Sequence, residues 1–185
     1  MNSGFAFNGF PILRTERVTL RKVEDKDRDD IFELYSNEAV VKYMPFTPFI
    51  TAEEAINEMD WYHEIFKAQS GLRWMIEHNE SKKVIGTCGF LNYEKIHNRV
   101  EIGYDLTPRY WGKGIMTEVV KCIMHFGFLT MKVNKIEAKV EPENEASVQL
   151  MNKLGFHKEG VLRQHEFEKG RYIDLAIFAK LKSEY

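Results

Sequence analysis

The 185-residue sequence lacks most of the features that mark specialised protein classes. Cysteine is nearly absent: Cys88 and Cys122 sit in apolar runs and form no CxxC pair, so two buried thiols in a reducing cytoplasm are expected, not a disulfide framework or a thiolate metal site. The histidines His63, His78, His97, His125, His157 and His165 never fall in HxxxH or HxH spacing, and no metal is implied. No apolar run reaches the ~18 residues of a membrane span, and the N-terminus has no basic leader ahead of a long apolar core. Charge of one sign is also missing. With 26 basic and 28 acidic residues the net charge is −2, which argues against a general phosphate-backbone binder and makes nucleic acid a poor ligand. No internal repeat or low-complexity linker appears.

What is present is an ordinary globular balance, 44% apolar and 29% charged, over a length that suits one domain spanning residues 1–185. "PILRTERVTLRKV" alternates apolar and polar residues and predicts a first strand. "EDKDRDDIFELYSNEAVVKYM" turns to helical spacing through Ile31, Leu34 and Tyr35, with a break near Ser36 and Asn37. After "PFTPF", Thr51 and Glu54 stand in capping-box spacing and open a second helix that carries Ala55, Met59, Tyr62 and Phe66 on one side. "LRWMIEH" and "KVIGTCGFLNY" predict a hairpin around "NESKK", and "RVEIGYDL" the next strand. A helix through Ile115, Val119, Ile123 and Phe126 and a strand through Ile136, Ala138 and Val140 complete a βαβ pattern with a parallel crossover. "NEASVQLMNKL" is a short helix ended by Gly155, and "FHKEGVLRQ" and "YIDLAIFAKL" are final strands.

The stretch "RYWGKG", Arg109 to Gly114, joins the strand of that βαβ unit to its helix. Glycines at the start of a helix leave backbone N–H groups and the positive dipole end open to an anion. It is not a P-loop, because Thr107 stands where GxxxxGK[ST] needs its first glycine and Lys113 is followed by Gly114. Nor is it a dinucleotide fingerprint, because Thr117 replaces the third glycine of GxGxxG. On these residues alone the loop is either a phosphate cradle or a tight strand-to-helix turn.

The arrangement R-x-x-G-x-G between "EIGYDL" and an amphipathic helix resembles the acetyl-CoA loop of the GCN5-related N-acetyltransferases (GNAT). "EPENEASVQLMNKLGFHKEGVLRQ" and "YIDLAIF" resemble the branch that contains the ribosomal-protein N-terminal acetyltransferases RimJ and RimL. The likeness covers most of residues 10–182 and is tightest from Glu101 to Arg163. It implies a mixed α/β (α+β) GNAT fold: a central, mostly antiparallel twisted sheet flanked by helices. It also implies a cytoplasmic enzyme, able to assemble as a homo-oligomer, that moves acetyl from acetyl-CoA to a primary amine by direct attack. The α-amine of a ribosomal protein is the first-choice acceptor and a small amine (polyamine, amino acid, aminoglycoside) the second. A non-catalytic CoA-binding sensor is the alternative from another class.

The resemblance further implies that the amides of Gly112, Lys113, Gly114 and Ile115 face the CoA pyrophosphate, with Arg109 and Lys113 adding charge. Trp111 reads as packed. A bulge in "VEIGYDL" is implied, with a backbone N–H among Tyr104, Asp105 and Leu106 meeting the pantetheine and the thioester carbonyl; Gly103 equally fits plain packing. Alternation puts Ile102, Tyr104 and Leu106 on one face and Glu101, Gly103 and Asp105 on the other. Glu101 falls where relatives keep a catalytic glutamate, with Asp105, Glu141 and Glu159 as rivals. Met151 occupies the place of the usual acidic tyrosine, and Ser147, which matches the serine that RimL-like enzymes carry in this helix, is either the donor to the departing sulfur or a first-turn capping residue. Asn144 caps its helix and also touches CoA on this reading; Lys153 contacts CoA phosphates or is solvated. Tyr43, Phe46 and Phe49 lie beside the acceptor channel or in the core.

Overall fold

A computed structural model describes residues 5–185, so residues 1–4 of the N-terminal stretch read above lie outside the described residues. Eight strands form one sheet: β1 (Leu13–Arg14), β2 (Val18–Arg21), β3 (Leu72–His78), β4 (Val84–Glu94), β5 (Arg99–Leu106), β6 (Lys135–Val140), β7 (His157–Glu168) and β8 (Arg171–Leu181). Their order is β1-β2-β3-β4-β5-β6-β8-β7. Every neighbour pair is antiparallel except β5 and β6, which are joined by the predicted crossover and run parallel.

The helices are α1 (Arg28–Tyr35), α2 (Glu38–Val41), α3 (Ala52–Lys67), α4 (Ile115–His125) and α5 (Glu145–Lys153). The break expected near Ser36 and Asn37 is there: α1 ends at Tyr35, and the Asn37 side chain accepts from the Ala39 amide to start α2. Thr51 and Glu54 form the capping box of α3. Gly155, at φ +73°, ends α5 in the left-handed region that glycine tolerates best.

Two apolar clusters sandwich the sheet. On one face Trp74, Cys88, Phe90 and Ile102 pack under α4, whose Ile115, Val119 and Ile123 are buried at helical spacing. At roughly 1.5–3 kcal/mol per buried aliphatic side chain, this stripe alone explains why α4 stays docked. On the other face Met75 and Val84 meet α1 and α3 through Ile31, Leu34, Tyr35, Ala55, Met59 and Tyr62.

The first strand differs from expectation. Instead of one extended run there are two short strands, because the Thr15 amide and hydroxyl both donate to the Val18 carbonyl (2.9 and 3.1 Å) and close a turn. The alternation in β2 does not expose its polar residues either. Both faces are covered, and Thr19 and Arg21 are buried. Arg21 is neutralised there by Asp27 at 2.7 Å and Glu77 at 2.6 Å.

A candidate acyl-transfer cleft between two splayed strands

β5 and β6 pair only at Arg99↔Lys135, Val100↔Ile136 and Glu101↔Glu137. Beyond Glu101 both strands continue, β5 to Leu106 and β6 to Val140, and their ladder opens into a gap. The β4 ladder fixes which backbone groups face it. Thr107 N donates to the Ile85 carbonyl, and the register is regular from Gly86↔Leu106 to Leu91↔Glu101, so the odd positions of β5 point to β4. The amides of Tyr104 and Leu106 therefore point into the gap, and that of Asp105 does not. The Trp111 indole confirms the direction by donating to the Leu106 carbonyl at 2.6 Å.

This geometry corrects the expected bulge. The β4–β5 register is regular from Gly86↔Leu106 to Leu91↔Glu101, and its irregularity falls between Leu91 and Glu94. Free amides arise from the divergence of β6, with no extra residue in β5. Gly103 serves packing, since a Cβ there would meet Arg73 Nη1 at 2.7 Å.

The gap opens on a cavity of about 480 Å³ lined by Tyr104, Leu106, Trp111, Gly112, Ser147 and Lys153, among others. Trp111, expected to be packed, is half exposed here. Gly112 and Gly114 have φ of +70° and +75°, the turn that starts α4. Gly114 is the N-cap of α4 and offers no side-chain cap, so the first amides of the helix are left for an outside acceptor. Space around Gly112 is open: an added Cβ would meet nothing within 4 Å. Lys153 joins the lining, whereas Arg109 and Lys113 are solvent-exposed beside it, with Lys113 Nζ 5.5 Å over the Tyr110 ring.

A residue that sequence reasoning missed steadies this loop. Arg17 donates to the Lys113 carbonyl at 2.7 Å and holds Glu118 on α4 at 2.7 Å, while its own amide donates to the same carboxylate. Burial pushes the Glu118 carboxyl up, but the Thr15 and Arg17 donors outweigh it and hold the group below its ordinary range. No local motif could have shown a contact made 96 residues away.

On the far wall, Asn144 accepts from the Ser147 amide at 3.2 Å, the expected cap, and the Ser147 hydroxyl lies 2.6 Å from the Tyr104 phenol. Burial pushes that phenol up to about 12, against the pull of the Ser147 bond. Met151, one turn on, is fully buried in the core.

The other β5 face looks away from Ser147. Glu101 accepts from Asn92 at 3.0 Å and pairs with Lys139 at 3.3 Å, where β5 and β6 part. Asp105 is part of the cavity lining, and its carboxylate is held in a buried cluster, bonded to Arg73 (2.7 Å), Thr87 (2.8 Å) and Tyr35 (3.0 Å). Tyr35 in turn meets Tyr62 at 2.8 Å, and burial drives both phenols well above their ordinary range. The other rivals to Glu101 are also engaged: Glu141 with Arg171 at 2.6 Å, Glu159 with Lys135 at 2.8 Å. Of the three aromatics after α2, only Tyr43 lines the cavity, and its hydroxyl donates to the Glu143 carbonyl at 2.9 Å. Phe46 and Phe49 stack on Tyr35 instead.

A family model described as an acetyltransferase (GNAT) domain matches residues 17–157, which spans the splayed strands, the glycine loop and α5. The chain belongs to the GNAT acetyltransferase family. It is an acetyl-CoA-dependent N-acetyltransferase. It is similar to an uncharacterised N-acetyltransferase, p20, of Bacillus licheniformis (44% identity, covering 94% of this chain and 97% of the relative). A spermidine N(1)-acetyltransferase of Escherichia coli is 30% identical over 87% of this chain and 86% of its own. Among solved structures, a GNAT acetyltransferase of Bacillus anthracis superposes with a TM-score of 0.83 at 28% identity, covering 94% of this chain and all of the other.

The residues of this GNAT enzyme fit its cosubstrate: an open glycine turn with uncapped helix amides suits an anion, and the unpaired β5 edge suits an extended amide-bearing arm. Among the described residues no helix is long and apolar enough to cross a membrane, and no group of three metal-ligating side chains forms.

Proposed function

We propose that this GNAT enzyme is a cytoplasmic, ribosomal-protein-type (RimJ/RimL-like) N-acetyltransferase that acts on the α-amine of a protein N-terminus. The observation that carries this reading is the engagement of Glu101 by Lys139 and Asn92. Both partners meet the same oxygen, Oε2, and Oε1 is left to face an acceptor amine or a water. An α-amine with pKa near ~8 is already about a tenth neutral at pH 7, whereas a lysine-like amine near ~10.4 is neutral in well under a thousandth of molecules. A weak base suffices for the first.

Acetyl-CoA supplies the activated acetyl group. The amides of Gly112, Lys113, Gly114 and Ile115 bind its pyrophosphate, with charge from Arg109, Lys113 and Lys153 and a contact from Asn144. The Tyr104 and Leu106 amides hold the arm along β5, and one of them donates to the oxygen on which negative charge grows. Glu101, on the acceptor face, takes the proton directly or through water. Ser147 donates to the departing sulfur.

A small polyamine is the second reading, supported by likeness to the spermidine enzyme. The deciding experiment follows CoA thiol release across peptides with free N-termini, spermidine and amino acids. Peptides should turn over with kcat/KM at least tenfold above spermidine; the reverse order transfers the assignment to polyamines. Glu101→Gln should cost peptide acetylation less than about tenfold at pH above 8.

A further inference from the structure

Tyr104 Oη and Ser147 Oγ are 2.6 Å apart inside the cleft, and the two residues come from β5 and α5, 43 positions distant in sequence. Each hydroxyl has one proton, so the bond has two senses. Whichever group donates, the other keeps a proton with no acceptor among the described residues, because neither Tyr104 Oη nor Ser147 Oγ has another hydrogen-bond partner there. A phenol is the stronger acid and the poorer acceptor of the two, which favours Tyr104 as the donor. If Tyr104 is the donor, its proton is satisfied and the serine proton is free to point into the cleft.

We propose that Tyr104 is a positioning residue for the leaving group: its phenol donates to Ser147 Oγ and so aims the Ser147 hydroxyl proton at the sulfur that departs from the acyl carbon. The inference rests on the reading of Ser147 as the donor to that sulfur. The phenol stays protonated at working pH, since its pKa is about 12, so Tyr104 remains a donor throughout. A hydroxyl that accepts one hydrogen bond is polarised into a better donor for the next. In the transfer the acceptor nitrogen forms the new N–C bond and gives up its proton on the Glu101 side. The electron pair of the broken C–S bond stays on sulfur, where the Ser147 hydroxyl meets it, and neither hydroxyl loses its proton. The chain thus replaces a single acidic tyrosine, whose place on α5 is filled by the buried Met151, with a two-membered donor chain.

The test titrates the thiol of bound CoA by the ultraviolet absorbance of its thiolate, alongside steady-state kinetics and binding of desulfo-CoA. In the wild type the bound thiol should titrate below the free value of ~8.5. Tyr104→Phe, which keeps the ring volume, should return it toward that value and lower kcat about tenfold. The KM for acetyl-CoA and the affinity for desulfo-CoA should stay within twofold. Ser147→Ala should give the same shift from the other end of the bond, the double variant should add nothing, and Ser147→Thr should restore the wild-type titration. A Tyr104→Phe titration identical to wild type, with Ser147→Ala shifted, overturns the role of Tyr104 and leaves Ser147 as sole donor. Wild-type titration in both variants overturns the donor reading itself.

Discussion

Arg17 and Lys113 are joined by a 2.7 Å hydrogen bond from guanidinium to backbone carbonyl, which ties the turn between β1 and β2 to the loop at the head of α4. The bond fixes the peptide between Lys113 and Gly114, the N-cap of α4. Arg17→Ala should therefore raise the KM for acetyl-CoA about tenfold, equivalent to ~1.4 kcal/mol, with kcat changed less than twofold. Steady-state kinetics with acetyl-CoA varied at saturating acceptor check this; an unchanged KM would separate Arg17 from the cradle.

Gly114 holds φ +75°, where an L side chain is strained whatever the room around it. Gly114→Ala should cost about 1 kcal/mol of stability and weaken CoA binding tenfold or more, because the N-cap amides of α4 are re-aimed. Calorimetric titration with CoA and a thermal melt, run on the same preparation, measure both effects.

Asp105 was expected to offer a backbone donor to the cofactor, and the strand parity assigns its carboxylate to Arg73 instead, both side chains being almost wholly buried. Removing the carboxylate leaves a buried guanidinium uncompensated, so Asp105→Ala should lose about 3–5 kcal/mol in denaturant unfolding. The double variant Asp105→Leu with Arg73→Met should lose much less than the sum of the single changes.

What was legible in the sequence divides from what was not by the range of the interaction. The β5–loop–α4–β6 unit was legible because its signals are local: alternation in "VEIGYDL", two glycines, then helical spacing of apolar residues. The Asn144 cap and the break at Asn37 were legible for the same reason. The splay of β5 from β6 was not, since pairing that stops after Glu101 is a property of two strands and no residue pattern announces it. Arg17 leaves no local sign of its role as a loop support, and aromatics beside prolines fit pocket and core alike, so the edge-on packing of Phe46 and Phe49 against Tyr35 is not legible in the sequence. A long-range partner leaves no trace in a local window.

Met151 is fully buried, so a tyrosine placed at this position, where the resemblance implies one in relatives, has no free space for its ring. Met151→Tyr should overpack the core by about 1–3 kcal/mol and leave kcat no higher than wild type. A thermal melt and a single-turnover rate decide the matter; a faster enzyme would mean that the hydroxyl had found the cleft after all.

The gap between β5 and β6 has Ser147 on one side of the sheet and Glu101 on the other. With CoA on the Ser147 side and the amine on the Glu101 side, as proposed above, both substrates would occupy the protein together. Such a shape favours a ternary complex, seen as intersecting double-reciprocal lines, over a shuttling acetylated protein. It also sets no limit on the bulk behind the reactive nitrogen, which can remain in solvent while only its tip reaches the slot.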